Sequence, residues 1–223
     1  MTWKILALFS AGAMLVCAES DAAKRLDAAA QAFREVMDTP DKTIPQDLLN
    51  KAHCVVVIPG LKTGAFIVGG KYGKGFVACR KAGGVGWTGP AAVRVEGGSF
   101  GFQIGGTETD LFMLVMNDGG MKRLLTSKFT LGGDASAAAG PVGRETQAQT
   151  DAMMTAEILT WSRAKGLFAG ISLQGATLRT DEDWDKELYG RPITNREILR
   201  GGIAAPPAAA RFEAELNKYS SRK

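Results

Sequence analysis

The residue types that most often perform chemistry are sparse in this sequence. It has one histidine, His53, which opens an apolar run, and no serine or cysteine stands in a recognisable nucleophile motif. It has no Cys-x-x-Cys motif or pair of histidines to bind a metal, and the acidic run 181–187 lacks the spacing of a calcium loop. We therefore expect no enzyme, no metal site and no cofactor, and we interpret the acidic run as the solvated start of a helix.

A glycine- and lysine-rich segment, Gly69–Gly75, invites comparison with a nucleotide-binding loop. A Walker loop needs glycine, four residues and then Gly-Lys-Ser/Thr, but Val68 occupies the first of these positions and Gly75 the last. The segment also lies between two predicted strands, whereas a nucleotide loop opens a helix. We interpret it as a glycine-rich turn that could bring Lys71 and Lys74 close to an exposed phosphate.

The distribution of charge is the strongest functional signal. The stretch from Leu48 to Val95 contains no Asp or Glu, although it carries seven Lys or Arg residues. A sheet surface with cations and no carboxylate attracts anions. The predicted head-group site consists of Lys62, Lys71, Lys74, Arg80 and Lys81. A solvated basic face with no ligand is the alternative, and strand alternation alone does not show whether the five share one face.

Patterning predicts the elements that would position these side chains. Helical spacing covers residues 21–37, and a short second helix is expected from Pro45, with Thr43 as its cap. Strands are predicted at 53–58, 64–70 and 75–80, separated by turns at Pro59-Gly60 and Tyr72-Gly73, and a hairpin is predicted around Lys165-Gly166. Helical patterns return from Trp184. We predict an α+β fold in which a glycine-rich antiparallel β-sheet, closed or folded into a barrel or sandwich, is flanked by N- and C-terminal helices.

The N-terminus has the pattern of a secretion signal. A basic residue precedes a 12-residue apolar run, and small residues end at Ala18. We expect cleavage after Ala18 and export to the periplasm or outer membrane, with lipidation at Cys17 as the alternative. Residues 19–223 would form one domain with a helical tail from about 203. Its two cysteines, Cys54 and Cys79, are expected to be buried thiols, and a disulfide between them is the alternative.

Longer motifs resemble those of the SYLF domain family. The similarity extends from about residue 22 to residue 202. Its strongest parts are Thr130–Asp134, which runs into Ala139–Arg144, and Ser162–Leu173. Lys51-Ala52 and Lys62–Phe66 also fit. The family is known from eukaryotic SH3-containing proteins of the actin patch and endocytic membranes, and from exported bacterial proteins.

This resemblance implies a non-enzymatic module that binds membrane phospholipids, which are phosphatidylinositol phosphates in the eukaryotic members. For an exported protein we expect peripheral binding to an anionic phospholipid surface, and a structural or protein-interaction module of the envelope is the alternative. Actin, which some fungal relatives bind, is not an expected partner. Nor is nucleic acid, because the basic stretch has few exposed aromatic residues. The N-terminal helix, thought to engage the bilayer in eukaryotic members, has no positive excess here, so we expect it to dock on the sheet.

Overall fold

The computed structural model describes residues 19–40, 42–66, 68–100, 105–143 and 155–220, so the predicted signal peptide lies outside the described residues. The helices are α1 (Asp21–Met37), α2 (Gln46–Lys51), α3 (Asp118–Leu124), α4 (Glu182–Tyr189), α5 (Asn195–Leu199) and α6 (Ala210–Ser220), with a 3-10 turn at Pro207–Ala209. The strands are β1 (Cys54–Phe66), β2 (Val68–Cys79), β3 (Ala91–Phe100), β4 (Gly105–Val115), β5 (Lys128–Thr130), β6 (Ala137–Ala139), β7 (Ile158–Ala164), β8 (Leu167–Gly170) and β9 (Thr177–Thr180).

The strands form one sheet that curls into an open half-barrel. Its order is β5-β9-β3-β2-β1-β4-β7-β6, and β8 pairs with β7 beside β6. Every pair is antiparallel except β6 with β7. Helices from both ends of the chain flank this sheet, which confirms the predicted α+β class.

The two central strands are longer than predicted. Instead of three short strands between residues 53 and 80, β1 and β2 are continuous, and the turns predicted at Pro59-Gly60 and Tyr72-Gly73 are wrong. Gly60, with φ of +60°, belongs to a β-bulge where the pairing of β1 with β4 shifts register. At Gly73 a Cβ would stand 2.8 Å from Leu61 Cδ1. This glycine therefore permits close packing within the sheet and does not end a strand.

The sheet has a core on each face. The helix face, covered by α1, α2 and α6, buries a cluster that includes Leu26, Phe33, Phe76, Phe112, Trp161 and Phe212. The opposite face is covered by α3, α5 and the chain around β5 and β9, and it buries Val56, Val77, Val93, Met113, Phe129 and Leu178. Because alternate residues of one strand point to opposite faces, the central strands are apolar on both sides where these layers cover them.

Helix α1 docks on the sheet, as predicted. The Ser20 side chain caps its first turn, and its alanine-rich stripe is buried against β1, β2 and α6. Arg211 of α6 pairs with Asp27 of α1. Within the described ranges, no helix combines the length and apolar character needed to cross a bilayer.

Two local predictions are wrong. Helix α2 begins after Pro45 with no side-chain cap, and the Thr43 hydroxyl lies near the Met37 sulfur instead. Cys54 and Cys79 are not separate thiols, because they stand directly opposite each other on β1 and β2 and form a disulfide. Strand register, which periodicity does not specify, brings the two sulfurs together.

Candidate functional site

Lys74, one of the five predicted head-group residues, is partly buried and already has partners within the protein. Its ammonium lies 2.8 Å from Asp181 Oδ2 and 4.3 Å from the centre of the Trp184 ring. Asp181 caps the start of α4, and its side chain is only 2 % exposed. Lys74 is therefore the nearer of two counter-ions of a buried carboxylate, since Arg94 Nη1 lies 3.8 Å from the same oxygen.

Arg80 and Lys81 lie just beyond the end of β2 that holds the disulfide. The Arg80 guanidinium stacks over Trp87 at 3.8 Å and donates hydrogen bonds to the Leu49 carbonyl at 3.2 Å and to Ser220. These contacts fasten the end of α6 to α2 and the sheet. Lys81 is exposed. At 3.3 Å per residue, this end of β2 is about 30 Å from Lys71, so the structure does not bring the five predicted residues together.

Lys62 and Lys71 lie at the other end, which we call the distal end of the sheet. It comprises residues 62–64, 70–72, 96–98 and 106–108 of β1 to β4 together with the turn 165–167, and none of these residues is buried. Lys62 stands opposite Tyr72 on β2 and opposite Glu108 on β4, whereas Lys71 stands opposite Thr63. The two lysines therefore point to opposite faces of the same exposed end.

The β7–β8 hairpin adds its turn to the distal end. The prediction of a hairpin around Lys165-Gly166 is confirmed, and Lys165 adopts a left-handed φ of +48°. Arg163 pairs with Asp110 of β4, so the turn lies at the level of Glu108 and Lys62. Leu167, at the turn, is 65 % exposed, and Tyr72 is 49 % exposed. The distal end thus carries lysines beside two exposed apolar side chains.

A charged cleft of about 650 Å³ opens between α1, the β1 bulge and the β7–β8 turn. Arg163 forms its floor, donating to Asp110 Oδ2 at 2.6 Å and to Glu35 Oε2 at 2.5 Å. Hydrogen bonds from Gln31 and then from Arg163 lower the pKa of the Glu35 carboxyl, so it stays ionised. The remaining Asp110 oxygen accepts the Gly60 N–H at 3.0 Å. The floor is therefore a connected network of one guanidinium and two carboxylates whose hydrogen bonds satisfy one another.

The rim of this cleft carries charges of both signs. Arg25 of α1 donates to the Pro59 carbonyl at 2.8 Å. A Cβ at Gly60 would stand 2.5 Å from Glu108 Oε1 and 3.2 Å from Arg25 Nη1. The absence of a side chain at Gly60 therefore leaves room for a carboxylate and a guanidinium side by side, and Lys165 lines the same cleft.

A row of cations that the sequence analysis missed crosses four strands. Lys74, Arg94, Arg179 and Lys128 stand directly opposite one another on β2, β3, β9 and β5. Like charges in such positions repel. Glu96 relieves the repulsion by pairing with Arg94 at 2.7 Å and with Arg179 at 3.1 Å. Only the strand order reveals this row, because its members are far apart in the sequence.

The acidic run 181–187 starts helix α4, as expected, but it is only partly solvated, because Glu182, Asp183 and Glu187 are exposed whereas Asp181 and Asp185 are buried. Asp185 Oδ1 accepts a hydrogen bond from the Ala92 N–H at 2.7 Å. The pKa of Asp185 is raised to about 7, mainly by burial; the hydrogen bond from Ala92 opposes this rise, and the charges of Asp181 and Glu182 add to it. These carboxyl groups tie α4 to β2 and β3.

His53 lies close to one carboxylate, with its Nδ1 atom 3.4 Å from Asp118 Oδ1. Across the ranges that the structure describes, no cluster of three or more His, Cys, Asp or Glu residues is arranged to hold a metal ion.

The fold and the site together define an α+β module built on a glycine-rich, half-open barrel. A family model described as "Ysc84: Las17-binding protein actin regulator" matches residues 96–219. The chain therefore belongs to the Ysc84, or SYLF domain, family, as its motifs predicted.

Several relatives share this module. The SH3 domain-containing protein PJ696.02 of Schizosaccharomyces pombe is 36% identical over 180 residues, which is 79% of this chain and 41% of the relative. The SH3 domain-containing YSC84-like protein 1 of Rattus norvegicus is 32% identical over 184 residues, which is 82% of this chain and 54% of the relative. LAS seventeen-binding protein 3 of Saccharomyces cerevisiae is 34% identical over 173 residues, which is 75% of this chain and 37% of the relative. The chain thus spans about half or less of each of these relatives, whose names describe SH3 domains or protein binding and no reaction.

Proposed function

We propose that this protein is a non-enzymatic module of the bacterial cell envelope that binds anionic phospholipid surfaces peripherally with the distal end of its sheet. Export, which the pattern of residues 1–18 favours, would place it in the periplasm or at the outer membrane. The proposal keeps Lys62 and Lys71 of the predicted head-group site and adds Lys165. It omits Lys74, which pairs with Asp181, and Arg80, which bonds Leu49 and Ser220. It also omits Lys81, which lies at the opposite end of β2.

The observation that carries this proposal is the pairing of cations with exposed apolar side chains at one end of the molecule. Lys62 and Lys165 are exposed, Lys71 is partly exposed, and Tyr72 and Leu167 stand beside them. Lysines near an anionic membrane contribute about 1 kcal/mol each. Tyrosine and leucine favour the boundary between head groups and acyl chains, so both kinds of side chain support the same orientation.

A protein partner is the second candidate. The family description names binding to Las17, and the relative from Saccharomyces cerevisiae carries the same partner in its name. For this chain, the partner would be a protein of the envelope that contacts the same exposed strand ends. Co-purification with one defined protein at high salt, together with no affinity for vesicles, would favour this candidate over lipid binding.

The lipid proposal is tested with the double variant Lys62→Glu/Lys71→Glu and vesicles with or without phosphatidylglycerol. Loss of two lysine contributions of about 1 kcal/mol each should weaken binding to anionic vesicles by at least about 30-fold. Wild-type binding should also weaken as salt rises. Lys122→Glu/Lys186→Glu is the matched control, because both lysines are exposed and lie outside the distal end.

Two results would contradict the proposal. One is wild-type binding that is equally tight on neutral phosphatidylcholine vesicles. The other is an equal loss of binding in the two double variants, since that would make net charge, and not the distal end, responsible.

A further inference from the structure

We infer that the charged cleft beside Gly60 binds a zwitterionic phosphate ester, namely the phosphoethanolamine head group of a membrane lipid. This inference rests on the proposed function and goes further by assigning a selective site to a surface that otherwise attracts any anionic membrane. Its volume of about 650 Å³ is within the range of small-molecule sites.

The floor of the cleft is preorganised. Arg163 bonds Asp110 and Glu35, Glu35 also accepts a hydrogen bond from Gln31, and Asp110 accepts the Gly60 N–H. Because these groups hydrogen-bond to one another, they hold α1, β4 and β7 in place without needing a ligand, and two carboxylates against one guanidinium leave the floor with one excess negative charge. The rim is then responsible for recognition.

Three rim groups remain to contact a ligand. In the described part of the chain, Glu108 and Lys165 have no hydrogen-bonding or ionic partner, and the Pro59 carbonyl is the one partner of Arg25. Glu108 and Arg25 meet over Gly60, where a side chain would occupy the space between them. A ligand that enters here meets one carboxylate and two cations.

The head group of phosphatidylethanolamine has matching charges. Its phosphate would accept hydrogen bonds from Arg25 and Lys165, and guanidinium is well suited to such contacts. Its primary ammonium would donate to Glu108. A choline head group has no N–H to donate, and a glycerol head group can donate only from uncharged hydroxyls, so each would lose the charge-assisted hydrogen bond to Glu108.

The position of the cleft suits a lipid ligand. Lys165 belongs both to the rim of the cleft and to the exposed turn that carries Leu167. If the distal end lies on a membrane, the cleft opens beside the head-group layer. A lipid could then place its head group between α1 and the turn while its acyl chains stay in the bilayer.

The test uses soluble head groups, so that it does not depend on membrane attachment. Glycerophosphoethanolamine, glycerophosphocholine and glycerophosphoglycerol are titrated into ¹⁵N-labelled protein, and the amide signals of Gly60, Lys165 and Gly166 are followed by NMR. The first ligand should shift these signals saturably and the other two should shift them less. Glu108→Gln should weaken its binding about tenfold, because a hydrogen bond between two charged groups is lost.

Glu182→Gln, an exposed carboxylate outside the cleft, is the matched control and should change nothing. Equal responses to the three head groups, no saturable shift, or equal effects of the two variants would overturn the inference. Vesicle binding without head-group binding would also overturn it while leaving the proposed function intact. Head-group binding without vesicle binding would support the cleft and count against the membrane role.

Discussion

Replacing Asp185 with asparagine should remove a large pH dependence from the stability of this protein. Asp185 is completely buried, and one of its oxygens accepts the Ala92 N–H at 2.7 Å. Burial is the main reason that its pKa rises from 3.8 to about 7, and the charge of Asp181 adds to the effect. The carboxyl group therefore titrates in the folded protein near neutral pH.

The folded state holds this proton more tightly than the unfolded chain does. Between about pH 4 and pH 7 the unfolded chain loses the proton while the folded protein keeps it, so the free energy of unfolding falls as pH rises through this window. Above pH 7 the effect is constant. A difference of about three pKa units corresponds to about 4 kcal/mol, which is an upper value for a single buried group.

The side chain introduced by Asp185→Asn would be uncharged at every pH, and its oxygen could still accept the Ala92 N–H. The amide also resembles the protonated carboxyl in shape, so the variant and the wild type should have similar stability near pH 4. Near pH 8 the variant should be more stable, by a few kcal/mol. The measured quantity is the difference between their free energies of unfolding in urea, followed by circular dichroism at about pH 4, 5.5, 7 and 8.5.

This difference cancels the titration of other groups, such as Glu213, whose pKa is raised by burial, and Glu35, whose pKa is lowered by hydrogen bonds from Gln31 and Arg163. Asp183→Asn, on the exposed side of the same helix, is the control and should give a difference that does not change with pH. The reasoning is refuted if the difference between Asp185→Asn and the wild type is independent of pH or becomes smaller as pH rises.

Two further predictions concern the end of β2 that holds the disulfide. Arg80→Gln should lower the free energy of unfolding by about 2 to 4 kcal/mol, because it removes charged hydrogen bonds to Leu49 and Ser220 and the contact with Trp87. Lys81→Gln, at the exposed neighbouring residue, is the control. A urea midpoint of Arg80→Gln that is unchanged and equal to that of the control would contradict the prediction. Reducing the disulfide should lower the free energy of unfolding by about 3.5 kcal/mol, the loop-closure value for its sequence separation of 25 residues. Urea unfolding curves with and without dithiothreitol measure the effect. The control is the double variant Cys54→Ala/Cys79→Ala, whose curve should not respond to the reductant. Wild-type curves that coincide with and without dithiothreitol would contradict the prediction.

Local patterns predicted the elements whose contacts are local. Helix α1 follows from the three- and four-residue spacing of Ala22, Leu26 and Phe33, all of which are buried as the pattern requires. The β7–β8 hairpin follows from two apolar runs around Lys165-Gly166. In both, the residues that determine the structure are neighbours in the sequence, so their order along the chain is sufficient.

The central strands show where such patterns fail. Glycine favours turns, but it also permits close packing between strands, and the sequence does not distinguish the two uses. At Gly75 a Cβ would stand 2.1 Å from the Val57 carbonyl oxygen, so the glycine is required by the neighbouring strand. The pairing of Cys54 with Cys79 has the same origin, since it depends on the register of β1 against β2.

The positions of the five cations proposed for head-group binding were only partly predictable, because charge on a sheet is a two-dimensional property. Adjacent strands are about 4.8 Å apart, so the nearest charged neighbour of a strand residue usually comes from another strand. The stretch from Leu48 to Val95 has no carboxylate of its own, yet Asp181 reaches Lys74 and Glu96 reaches Arg94 from outside it. A stretch of sequence without Asp or Glu therefore does not necessarily fold into a basic surface. Cations stay available to a ligand where strands extend beyond their covering layers, and this geometric condition selects Lys62 and Lys71 from the five residues that the sequence proposed.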